Sequence, residues 1–438
     1  MDELVVASIS QARSFRVGLH SNRNIPIFVR FRGPLDRAAL AGALIELFRR
    51  HSALRTKLTE RGGQIWQLVS AEPPALPASL REAPVSIEPA ALEATLASLA
   101  ELPFWLEDER LVRVALLAAG RDDHALVLVM HHSLCDGWSV NVIVQELREL
   151  YDAHLHRRSP ELPPPGATLV EYAQDERPRV SAPSALAAWR EHLIPCPPRL
   201  ALPLVDLPAG RDAVQVREQV ASLAADAVAQ LRELARRTGA TLTTVLLAAV
   251  ARTLAPYGNG HLTLNVEHAN RLQARYLRTV GPFGANVALR MVCDQDATDI
   301  ALRRARDEWL DAVTRWVWLA DLVALVEDEA TWPQGASPLE IDVNHLPRRE
   351  GAAISHHGST SIEVIARTSR LIQERVVCPE RPGAFGVLFA EREDGSLRLD
   401  AYWLESRLPA DLCRDLVARI GETLTRFSLD RRGARPTR

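Results

Sequence analysis

The chain has 438 residues and a formal net charge of −3, with 47% hydrophobic and 24% charged residues, an ordinary balance for a soluble globular protein. That length exceeds one typical core and points to two lobes. The near-neutral charge, with arginines interspersed among acids, gives no electrostatic basis for nucleic-acid binding. The five cysteines (Cys135, Cys196, Cys293, Cys378, Cys413) are odd in number and scattered without a CxxC pair. That argues against a disulfide framework or a metal site and for a reducing cytosol. Met1 to Leu4 lacks the basic region and apolar core of a signal peptide, and the longest apolar runs fall short of a bilayer span. A cytoplasmic protein with no membrane or nucleic-acid partner is expected.

In chain order, Ile25 to Phe31 reads as a strand turned by Gly33-Pro34, and Leu35 to Arg50 as a helix with Leu40, Leu44, Leu47 and Phe48 on one stripe. Arg49, Arg50 and Arg55 suit the C-terminal end of that helix and its dipole. Gln64 to Ser70 is a strand, Leu92 to Leu102 a helix, and Phe104 to Leu117 carries a strand that pairs with the next one. The next is the unbroken apolar run Ala125 to Met130. It leads into His131-His132-Ser133-Leu134-Cys135-Asp136-Gly137-Trp138-Ser139 and then a helix with Val140, Ile143, Val144, Leu147, Leu150 and Tyr151 at helical spacing. Ser139 reads as the N-cap of that helix. This alternation describes a mixed α/β lobe of roughly 175 residues.

Adjacent histidines on extended backbone point to opposite faces, so only one of His131 and His132 faces a given cavity, and the pair is not a two-ligand metal site. Asp136, beside Gly137, could orient an imidazole or pair with a remote arginine. A polar side chain held over a helix N-terminus lies where backbone N–H groups favour developing negative charge.

Beyond a proline-rich stretch the second half opens with a strand at Val214 to Leu223, followed by helices at Asp226 to Thr238 and Thr241 to Tyr257, the latter nearly all apolar and hence buried. His261 to Val266 is a strand, Arg303 to Val326 a long helix, and Leu339 to Asn344 a strand. Further strands follow at Ile362 to Ala366, Ala384 to Ala390 and Leu397 to Trp403. Glu393-Asp394-Gly395 turns the last two, and Pro409, at the first helical position, starts a final amphipathic helix.

The loop His131 to Gly137 matches the HHxxxDG motif of the condensation domains of nonribosomal peptide synthetases, members of the chloramphenicol-acetyltransferase-like acyltransferases. Other segments resemble motifs of the same family: Ala7 to Phe15, Arg50 to Thr56 (RHxxLRT), Leu169 to Ala173 with Trp189, and Val280 to Val287 (IGxFVNT). The resemblance covers nearly the whole chain. It implies an α/β (α+β) fold of two acetyltransferase-like lobes in a V-shaped pseudo-dimer with a central tunnel and His132 at the cleft. The lobes would be residues 1–180, carrying HHxxxDG, and 211–438, joined by a linker over 181–210.

By that resemblance the protein is a monomeric, free-standing condensation enzyme. It would join a carrier-protein-bound acyl or aminoacyl thioester to an amine or alcohol acceptor, itself carrier-bound or a small molecule. No cofactor is bound by the chain, since the thioester rides on the carrier's phosphopantetheine. His132 would act as base or positioning group, and Gly137 at the helix N-terminus would meet the oxyanion. Cys135 occupies a variable position of the motif and is not a nucleophile. Arg271 is the first candidate to pair with Asp136 and Arg55 the second. His131, Ser139 and Asn286 are supporting residues. Glu267 departs from the condensation pattern. Epimerization domains place an essential glutamate at this offset in an EGHGR sequence, whereas here His268-Ala269-Asn270 follows it. Glu267 would position the acceptor or pair with an arginine such as Arg271. The alternatives are epimerization of a carrier-bound aminoacyl group and a catalytically silent recruitment domain of the same fold.

Overall fold

The computed structural model describes residues 3–18, 24–73, 83–84, 89–104, 110–176, 183–196, 200–203, 216–258, 260–292, 297–315, 317, 321–322, 341–347, 355–357, 360–365, 385–392, 394–404 and 408–430. The first elements in chain order are β1 (Glu3–Val6), α1 (Ile9–Gly18), β2 (Asn24–Arg32), α2 (Arg37–Arg50), β3 (Thr56–Arg61), β4 (Gln64–Val69), β5 (Ala83–Pro84) and α3 (Pro89–Glu101). Then come β6 (Val112–Gly120), β7 (Asp123–His131), α4 (Gly137–Leu155), α5 (Leu169–Glu176), α6 (Pro183–Leu193), β8 (Val216–Leu223), α7 (Ala225–Thr238), α8 (Leu242–Leu254), β9 (His261–His268) and β10 (Ala285–Val292). The chain closes with α9 (Thr298–Thr314), β11 (Ile341–Leu346), β12 (Ser355–His357), β13 (Thr360–Ile365), β14 (Phe385–Glu391), β15 (Leu397–Leu404) and α10 (Ala410–Leu429).

These elements form two compact units. One comprises Met1–Arg179, Ala269–Gly284 and Arg349–Arg375, the other Val180–His268, Ala285–Arg348 and Val376–Arg438. The first unit therefore takes two stretches that lie beyond the proline-rich linker in sequence. Its main sheet has the order β12-β13-β2-β7-β6-β5, with a smaller sheet β1-β4-β3. The apolar run of β7 follows from burial on both faces. Leu126, Leu128 and Met130 pack with Leu44, Ile143 and Leu147 of α2 and α4, while Ala125, Val127 and Val129 pack with Phe15, Leu96 and Ala100 of α1 and α3. β13 completes this sheet by pairing antiparallel with β2, Ile362 opposite Phe31, and Thr360 Oγ1 donates to the Pro34 carbonyl at 2.5 Å.

The segments at Ala7 to Phe15 and Leu169 to Ala173 meet through a buried carboxylate. Glu176, at the end of α5, accepts the Ile9 N–H at 2.6 Å, the Ser10 hydroxyl at 3.1 Å and the Tyr172 hydroxyl at 3.0 Å. An anion at the N-terminus of α1 suits that helix's dipole.

The second unit is a six-stranded mixed sheet, β10-β9-β11-β14-β15-β8, whose β9-β11 and β11-β14 pairs are parallel. One face carries the core. Leu264, Val266, Ile341, Val343, Val387, Phe389, Leu399 and Trp403 pack with Leu231, Leu246, Leu302 and Leu416 of α7 to α10. Gly239 ends α7 at φ 66°, and Thr241 and Thr244 form a reciprocal cap that starts α8. Strand alternation leaves Asn265, Glu267, Asp342, Asn344, Asp400 and Tyr402 on the opposite face.

Several boundaries differ from the sequence reading. β9 runs on to His268, so Glu267 lies within a strand. Pro409 is the N-cap of α10 rather than its first helical residue, because its extended backbone (φ −61°, ψ 132°) precedes the helix. The helix expected over 303–326 begins at Thr298 and ends at Thr314, where Arg315 leaves helical geometry. Apolar spacing that continues past a helix end does not mark the end. Cys293, Cys378, Glu393, the tail from Arg431 and the stretches 204–215 and 323–340 fall outside the described residues. Among the described residues no single helix is long and apolar enough to cross a membrane.

Gly386 is fixed by packing. A Cβ there would lie 1.9 Å from Tyr402 Cζ, since the tyrosine ring crosses the strand at that point. Gly386→Ala should cost about 2 kcal/mol through overpacking. Tyr402→Ala in the same chain should recover part of the loss, a coupling read from denaturant midpoints.

Candidate active site

The end of β7 sets the two histidines apart. His131, the last strand residue, is 3% exposed. Its Nδ1 accepts the Ser133 N–H at 3.2 Å and lies 2.8 Å from Ser133 Oγ, and its ring meets Phe104 edge-on. An accepted N–H on Nδ1 means the neutral ring carries its proton on Nε2. His132 begins the turn and is only partly buried, the more exposed imidazole of the pair. Cys135 is wholly buried, its Sγ 3.9 Å from the His131 carbonyl, and packs in the apolar core of the first unit.

Asp136 starts α4. The N-cap is Asp136 and not Ser139, because the shorter path from the carboxylate to the Ser139 N–H (2.8 Å) begins the helix at Gly137. Ser139 is the third helical residue. Its hydroxyl accepts the Gly281 N–H at 3.0 Å and lies 2.7 Å from Asp136 Oδ1 and 3.0 Å from the Gly281 carbonyl. With Ser139's N–H taken, Gly137 stands at the partly buried start of the helix, where backbone N–H groups lack helical acceptors.

Arg271, rather than Arg55, holds Asp136. Nη1 reaches Oδ2 at 2.7 Å and Nη2 reaches Oδ1 at 3.0 Å, a bidentate fork with side-chain exposure of 1% and 4% for the two partners. The guanidinium also lies 4.3 Å from the Phe283 ring centre and donates to the Thr279 carbonyl at 3.2 Å. Backbone N–H groups of Phe283 and Gly284 complete the shell of Asp136 Oδ2 at 3.0 and 3.2 Å. Burial alone would raise the carboxyl's pKa, but the Arg271 charge and hydrogen bonds, with those of Ser139, bring it below its ordinary value. Arg55 instead donates to the Phe48, Ser70 and Ala71 carbonyls. The glycine-bearing loop at 280–284 thus closes on an internal carboxylate. Trp138 Nε1 adds a bond to the Leu277 carbonyl at 2.8 Å.

A second buried carboxylate escaped the sequence reading. Glu146, two turns along α4, accepts from Arg50 Nε at 2.8 Å, lies 2.9 Å from His51 Nε2 and pairs with Arg278 at 3.2 Å. Burial pushes its pKa up, but the hydrogen bonds and charges of His51 and Arg50 prevail and bring it to about 2. The signal was a glutamate on the apolar stripe of a helix, beside the basic end of α2.

The remaining candidates lie in the second unit. Glu267 on β9 is exposed and accepts from Asn344 Nδ2 at 2.6 Å. Asn286 stands opposite it on β10. Arg271 is committed to Asp136. One grouping there could hold a metal, His192, Glu308 and Asp311. His192 Nε2 is already bonded to Glu308 Oε1 at 2.7 Å, and that oxygen also accepts the Arg290 N–H at 2.9 Å.

Two consequences are measurable. Asp136→Ala strands a buried guanidinium and two loop N–H groups, and should cost about 3–5 kcal/mol. His132→Ala, at a partly exposed turn, should cost under about 1 kcal/mol. Equal melting temperatures would remove the structural role of Asp136. Glu146, whose pKa is depressed on folding, contributes stability that is complete above about pH 5 and is lost as pH falls toward 2. That contribution is about 3 kcal/mol. Acid unfolding of Glu146→Gln should therefore lack that part of the slope between pH 5 and 2.

Comparisons with known proteins bear on the family and the fold. A family model, the condensation domain, matches residues 17–330. A Salinispora arenicola protein described as a nonribosomal peptide synthetase, CymA, is 33% identical over 315 residues, 68% of this chain but 4% of that protein's length. The fold is that of the X-domain from teicoplanin biosynthesis (TM-score 0.75, 21% identity, 99% of this chain and 96% of that one). It is also that of the epimerization domain from the third module of tyrocidine synthetase B (TM-score 0.73, 18% identity, 98% and 96%). With the motif loop, its arginine clamp and a family match over most of its length, the chain belongs to the condensation-domain family of nonribosomal peptide synthesis.

Proposed function

We propose that the protein is an acyltransferase that joins an acyl or aminoacyl thioester, carried on the phosphopantetheine of a carrier protein, to an amine or alcohol acceptor. The observation that carries this reading is the division of labour in the motif loop. His131 and Asp136 are consumed by internal bonds, while His132 is the partly exposed member. His132 takes the proton of the attacking amine or hydroxyl as the new bond forms at the thioester carbonyl. The oxyanion meets the Gly137 N–H at the start of α4. Collapse breaks the carbon–sulfur bond, and the proton held by His132 passes to the departing thiolate. Condensation of this kind needs no covalent acyl-enzyme, in keeping with the burial of Cys135.

Incubation of loaded carrier proteins with amine acceptors, followed by intact-mass spectrometry, should show loss of the acyl group from the carrier and a matching amide. Activity with free acyl-coenzyme A and none with carrier thioesters would contradict the assignment.

Glu267 favours a second reading, epimerization, because an exposed carboxylate on β9 could move an α-proton. On the condensation reading it positions the acceptor, held by Asn344. Incubation of an aminoacyl carrier thioester in deuterated water without acceptor should leave the α-carbon unlabelled. Deuterium that appears there and disappears in Glu267→Gln would establish epimerization instead.

A further inference from the structure

The face of the second unit's sheet that bears Asn265, Glu267 and Tyr402 also holds a partly buried carboxylate, Asp342. Asp342 on β11 lies opposite Asn265 on β9, and Asn265 Nδ2 donates to Asp342 Oδ1 at 2.6 Å. No other hydrogen bond and no ion pair to Asp342 occurs among the described residues. Two residues along the same strands, Asn344 donates to Glu267, a second acid on this face. Of the arginines on this face, Arg398 pairs with Asp400 at 2.6 Å and Arg290, opposite Thr263, donates to the His192 carbonyl. Burial pushes the Asp342 carboxyl up to about 6, and the charge of Glu267 adds to the rise.

Independent of these acids, Asn265 is 9% exposed, and its Oδ1 is shielded from water without a hydrogen-bond partner. Its amide is held beside Asp342 by the Nδ2 bond, so the oxygen is a buried acceptor on the same side chain that Asp342 fixes. An unsatisfied buried acceptor is costly unless a donor arrives. Tyr402 walls the cluster. Its ring lies over Gly386, which stands between Asp342 and Tyr402 in the strand register. Burial, with the charges of Asp342 and Glu267, keeps its phenol protonated. Two carboxylates, a buried carbonyl oxygen and an aromatic face form a donor-seeking, cation-seeking set.

We propose that Asp342, Asn265 and Glu267, walled by Tyr402, bind the ammonium group of an aliphatic amine substrate. Resting on the condensation reading, the acceptor class is an amine that carries a second, protonated amino group, such as a diamine or a basic amino acid. The ammonium's three N–H donors match the Asp342 carboxylate, the Asn265 oxygen and the Glu267 carboxylate.

Calorimetric titration of the full chain with diaminobutane and with butylamine, at low salt, reads this directly. Diaminobutane should bind at least about tenfold more tightly, the scale of one charge-assisted bond. Asp342→Asn should abolish that preference while melting at or above the parent's temperature, because a partly buried carboxylate without an ion-pair partner has been removed. Asn265→Ser, a second and milder variant, should reduce the preference. Equal affinity of the parent for the two amines, or a preference undiminished in both variants, would overturn the site. Diamine binding that depends on Asp342 without any amide product would leave the site standing and sink the condensation reading. Condensation of both amines with no difference in binding would do the reverse.

Discussion

The motif loop depends on one buried ion pair. Asp136 accepts six hydrogen bonds, from Ser139 (two), Arg271 (two), Phe283 and Gly284. It starts α4, fixes the loop after β7 and anchors the stretch Ala269–Gly284 to the first unit. A buried charge pair contributes little net stability against an apolar replacement, but breaking it from one side is expensive. Its value here is geometric.

The same logic extends along α4. Glu146 ties the basic end of α2 to Arg278, six residues before Gly284, so two buried carboxylates on one helix hold the inserted stretch. Aromatic contacts reinforce them. Tyr276 and Phe283 both pack on Tyr172, with ring centres 5.3 and 4.2 Å away. The stretch is held by charge at its polar side and by rings at its apolar side.

Much of this was legible in the sequence. Alternation along β7 separated the two histidines, and helical spacing located α4. The choice of Arg271 for Asp136 came from family resemblance, since nothing local in a chain reveals a partner 135 residues away. Ser139 was misread as the cap because serine and aspartate serve equally well there by type, and only the geometry of the carboxylate distinguishes them. The placement of 269–284 and of β13 with the first unit was not legible, because apolar pattern specifies a strand's face and not its neighbour. The polar face of the second sheet was written as alternation in Leu264-Asn265-Val266-Glu267 and Ile341-Asp342-Val343-Asn344. The register that stacks those polar positions side by side exists only in the fold.

The account stands on His132 performing chemistry in a loop whose architecture is maintained by others. Its most direct test is single-turnover transfer from a loaded carrier protein to an amine, measured by rapid quench with the parent and with His132→Ala at matched melting temperature. The account requires the transfer rate to fall by about 10²–10⁴-fold, the scale of a lost general base. A His132→Ala protein that transfers the acyl group at the parent's rate would contradict it.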